Sequence, residues 1–66
     1  MEGRFKNQRD AMKWLAAHLG MYWEENSVDG RYGACIPPKN PKNDPIYAYA
    51  DTVLETVEKL VEAVEG

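Results

Sequence analysis

The sequence predicts a small two-layer α+β fold in the order helix, β-hairpin, helix (αββα), and three observations carry that prediction. Apolar residues recur at spacings of three and four over residues 8–19 and again over 46–64, as they do on one face of an α-helix. Between these stretches the spacing shortens toward two around an Asp29-Gly30 pair, the mark of a hairpin over 22–36. Four prolines within residues 37–45 then exclude a helix interior or a central strand, leaving an exposed connection.

The first helix begins well. Asn7 can accept from a free first-turn amide, and Asp10 places negative charge near the positive helix end. Gln8, Ala11, Met12, Leu15, Ala16 and Leu19 form its stripe, and Gly20 is expected to close it in the left-handed conformation. In the hairpin, a turn at Asp29-Gly30 sets Trp23 opposite Ile36, with Trp23, Tyr32, Ala34 and Ile36 facing the core. The last helix is expected from Asp44-Pro45, an N-cap followed by proline at the first helical position. Ile46-Tyr47-Ala48-Tyr49 also alternates like a strand, so a short third strand at 46–49 is the alternative, with Thr52 and Glu55 as a later capping pair. Both helices should cover one face of the hairpin, because two strands alone bury too little to be stable.

Size and composition narrow the function classes. Sixty-six residues suit one domain over 1–66, and a chain this short buries only about 60% of its unfolded surface. One cysteine, Cys35, and one histidine, His18, exclude an intramolecular disulfide and a Cys/His zinc site; no metal and no cofactor are expected. The lone thiol and the absence of a long apolar run point to a cytoplasmic protein without membrane attachment. A Cys35–His18 nucleophilic pair has no local signature, Glu24-Glu25 points to opposite strand faces, and no glycine-rich phosphate loop is present. The sequence therefore supports no enzyme.

Charge is unevenly distributed within a net −3. Residues 1–20 carry four basic side chains against two acidic, and residues 43–66 carry one basic against six acidic. Asp51, Glu55, Glu58 and Glu62 share the polar side of the last helix, with Lys59 alone among them, and form one candidate surface for a protein partner. Tyr22, Tyr47 and Tyr49 form a second, since the aromatics exceed what one thin core conceals and such rings are enriched at interfaces. Arg4, Lys6, Arg9 and Lys13 are the nucleic-acid alternative, a weak basic cluster in an acidic chain.

With a strand at 46–49 the element order would match that of double-stranded RNA-binding domains. Those domains carry lysines at the start of the final helix, where this chain has Asp51-Thr52-Val53-Leu54-Glu55, so no resemblance is drawn. The expected function is a small non-enzymatic interaction module: an inhibitor, adaptor or accessory factor, compositionally like those of phages and mobile elements. A structural subunit that assembles with a second copy, in the simplest case a homodimer, is a further alternative, since the last helix's long apolar stripe exceeds what a hairpin covers.

Overall fold

The computed structural model describes residues 5–65 and contains α1 (Gln8–Ala17), β1 (Met21–Ser27), β2 (Gly30–Ile36), β3 (Ile46–Ala50) and α2 (Val53–Glu65). The α+β class and the flanking helices agree with the sequence reading, and the short third strand is present. The strands form one antiparallel sheet in the order β1-β2-β3. Helix α2 packs on β2 and β3, and α1 packs on α2.

The core lies between the sheet and these helices. Ala11 and Leu15 of α1, Ala34 and Ile36 of β2, Ala48 of β3, and Val53, Val57 and Leu60 of α2 make it up. Ala34 and Ala48, paired at the centre of the inward face, keep the sheet surface low where α2 packs on β2 and β3. Trp14 and Tyr32 pack partly buried against this cluster. Among the described residues Thr56 is the buried polar one, and its hydroxyl donates to the Thr52 carbonyl at 2.6 Å, so this donor is not stranded.

Helix α1 starts as expected, with Asn7 Oδ1 accepting from the Asp10 N–H at 3.0 Å. Its end differs. Leu19, with φ of 58°, takes the left-handed position, while Gly20 N–H donates to the Leu15 carbonyl at 2.8 Å and Leu19 N–H to the Ala16 carbonyl at 3.0 Å. This is a Schellman closure. Glycine stands one residue later because a Cβ at Gly20 would press into Leu15, the Cys35 carbonyl and Ile36.

Helix α2 begins at Val53, not at 46. Thr52 Oγ1 accepts from the Glu55 N–H at 3.1 Å, so the later capping pair starts the helix rather than Asp44-Pro45. The preceding residues form β3 because their alternation serves both faces of a sheet: Ile46, Ala48 and Ala50 point toward the helices, and Tyr47 and Tyr49 point away.

The hairpin also differs from its expected register. Val28 and Asp29 are the loop residues, held by Ser27, whose Oγ accepts from the Asp29 N–H at 3.3 Å and donates to the Gly30 carbonyl at 3.1 Å. Gly30 has no positive φ; it is glycine because a Cβ would lie 2.6 Å from the Ala50 nitrogen. A bulge between Glu24 and Ser27 completes the shift, and Trp23 pairs with Gly33 instead of Ile36. A shift by an odd number of residues turns a strand over, so Trp23 leaves the core side and Tyr22 and Glu24 take its place.

Candidate functional site

Neither helix reaches the second face of the sheet, and its side chains form two rows across the strands. Met21, Cys35 and Tyr47 make one row, and Trp23, Gly33 and Tyr49 the other. The indole of Trp23 lies over Gly33: a Cβ at that glycine would come within 2.6 to 2.8 Å of Cε2, Cζ2 and Nε1. Tyr47 and Tyr49 meet the indole edge to face, with ring centroids 6.4 and 6.2 Å away. Such pairs add about 0.5–1.5 kcal/mol each beyond the area they bury. Trp23 Nε1 donates to Glu25 Oε1 at 3.2 Å, which fixes the ring within its plane. The outcome is an ordered aromatic platform rather than a set of loose rings.

Much of this platform is open to solvent. Met21 is 63% exposed and Tyr47 54%, while Trp23, Cys35 and Tyr49 are half-buried. The phenol of Tyr49 is held above its ordinary pKa of 10.0, first by partial burial and then by the negative charges of Glu25 and Asp29 among its neighbours. The hairpin that supplies most of the face carries Glu24, Glu25 and Asp29 against Arg31 alone.

The three tyrosines singled out from sequence do not share a surface. Tyr47 and Tyr49 belong to the platform. Tyr22, 46% exposed, points to the helix side, where it lines a groove with Gln8, Glu24, Tyr32 and Asp51. Trp23, expected in the core, is the platform's centre. Gly33 is the signal that could have located it, because glycine inside a strand marks a place where another group approaches closely.

The acidic and basic sets have other surroundings. Glu55 is exposed but serves the cap of α2, accepting from the Thr52 hydroxyl at 3.4 Å. Glu62 is exposed, Glu58 half-buried, and Asp51 precedes the helix at the groove beside Tyr22. Lys59 Nζ donates to the Tyr49 carbonyl at 2.9 Å, tying α2 to β3. Lys6, Arg9 and Lys13 are exposed on and before α1, in the layer opposite the aromatic face, so rings and cations do not make one stacking groove. Arg4 lies outside the described residues.

His18 ends α1 with its ring stacked on Trp14 at 4.0 Å and Nδ1 2.8 Å from the Trp14 carbonyl. A carbonyl only accepts, so Nδ1 carries the proton. Cys35 lies on the outer face and His18 at the end of a helix on the inner side, beside Ile36 and Val64. The sheet thus separates the imidazole from the thiol. Among the described residues, no group of three His, Cys, Asp or Glu side chains could hold a metal ion, and no helix is long and apolar enough to cross a membrane. No protein family, curated protein or solved structure matches the chain.

Proposed function

We propose that this chain is a non-enzymatic interaction module that docks on a larger protein through the outer face of its sheet. The observation that supports this reading is the platform of Met21, Trp23, Cys35, Tyr47 and Tyr49, packed in order yet left open. Trp and Tyr are among the types that supply most binding energy at protein interfaces, and their rigidity lowers the cost of ordering on contact; methionine is enriched there as well. The acidic face of α2 is the weaker version of the same reading, because Glu55 already has work in the helix cap. A cytoplasmic setting, where the lone Cys35 stays reduced, fits this role.

The test is a paired capture from lysate with tagged protein. Met21→Ser and Tyr47→Ser, both at positions more than half exposed, should lose a protein that wild type and Glu62→Lys retain. Loss with Glu62→Lys and retention by the two platform variants would move the site to α2 and overturn the reading.

A further inference from the structure

We propose that the occupant of the outer face is an arginine-bearing basic segment of a protein partner, with Trp23 as the stacking surface and Glu25 as the counter-charge. The inference rests on the reading that the outer face is the docking surface, and adds to it the chemistry of the partner. One ring face of Trp23 lies against Gly33, so the opposite face is turned away from the sheet. Tyr47 and Tyr49 abut the indole at steep angles of 71° and 77°, so neither stacks over that outward face. Glu25 is held at the indole edge through Oε1, leaving its second oxygen for an incoming donor.

A guanidinium meets both demands at once. It stacks flat on an indole and presents N–H groups in its own plane, toward a carboxylate at the ring edge. A lysine ammonium meets the charge but not the stacking geometry. Nucleic acid bases would stack equally well, but Glu25 sits at the indole edge, and after partial burial its charge and that of Asp29 disfavour ionisation of Tyr49 on this face. A phosphate backbone laid along this face would meet like charge.

The probe is a blocked peptide of three Arg-Gly-Gly repeats, compared with its Lys-Gly-Gly counterpart and a short oligothymidylate at low salt. The readout is the indole N–H resonance of Trp23 in a proton–nitrogen NMR spectrum, with Trp14, stacked on His18 in the helix layer, as an internal reference. The arginine peptide should move the Trp23 signal and leave that of Trp14 in place, binding roughly fivefold or more tightly than the lysine peptide. Glu25→Gln should weaken the shift severalfold while Trp14 reports an unchanged fold. Absence of a Trp23 shift, equal response to arginine and lysine peptides, a stronger response to the oligonucleotide, or indifference to Glu25→Gln would each overturn the inference. If these fail while capture still depends on Met21 and Tyr47, the docking face stands and only its partner chemistry is wrong.

Discussion

Replacing Gly33 with alanine should change the sign of its effect according to whether Trp23 is present. In the native protein the nearest heavy atoms to a Cβ at this position are all in the Trp23 indole, at 2.6, 2.7 and 2.8 Å. Ordinary carbon contact lies near 3.6 Å, so the ring must rise by about 1 Å, weakening its contacts with Tyr47 and Tyr49. Overpacking of this kind costs about 1–3 kcal/mol, while removing glycine from a regular element gains about 0.5–1 kcal/mol. The net expectation for Gly33→Ala is a loss of about 0.5–2 kcal/mol. In a Trp23→Thr background the obstruction is gone, and the same change should stabilise by about 0.5–1 kcal/mol. The coupling between the two sites is then roughly 1–3 kcal/mol, large for an exposed sheet face. Urea unfolding of the four proteins, followed by far-ultraviolet circular dichroism, measures it. Equal effects of Gly33→Ala in both backgrounds would refute the seating of the indole on the glycine.

Other expectations follow from single contacts. Leu19 is 82% exposed in a left-handed conformation that costs an L-residue about 1–2 kcal/mol, so Leu19→Gly should raise stability by about 0.5–1 kcal/mol and the melting temperature by a few degrees; a lower melting temperature would contradict this. Thr52→Ala removes the cap of α2 and should cost about 1 kcal/mol in chemical denaturation, whereas loss at Asp44 should cost little because the helix does not start there. Because folding raises the pKa of Tyr49, its contribution to stability is complete below pH 10 and lost as pH rises through the folded value. Ultraviolet titration should show one tyrosine ionising late, and Tyr49→Phe should remove that step.

Helix α1 was legible because its signals agree: the Asn7 cap, Asp10 in the first turn and the stripe through Ala11 and Leu15 all specify one element. The apolar stripe of α2 from Val53 to Val64 was equally clear, but its beginning was not. Ile46 and Tyr47 fit both a helical stripe and an alternating strand, and the choice is made by β2, whose second side needs a partner for its backbone groups. Trp23 was harder still. Its side of the sheet depends on the hairpin register, and that depends on the Ser27 hydroxyl and a one-residue bulge outweighing the turn preference of Asp29-Gly30. Of the candidate surface, Tyr47 and Tyr49 could be found from alternation alone. Trp23 and Met21 could not, because a single-residue uncertainty in a strand exchanges its two faces.

Cys35 provides the most direct test of the outer face as the docking surface. It is the chain's one thiol, half-buried between Met21 and Tyr47 in the central strand of the platform. Its alkylation by iodoacetamide, followed by mass spectrometry in the free protein and in the captured complex, reads occupancy of this face without any substitution. Docking there predicts alkylation at least tenfold slower in the saturated complex; an unchanged rate in that complex would contradict it.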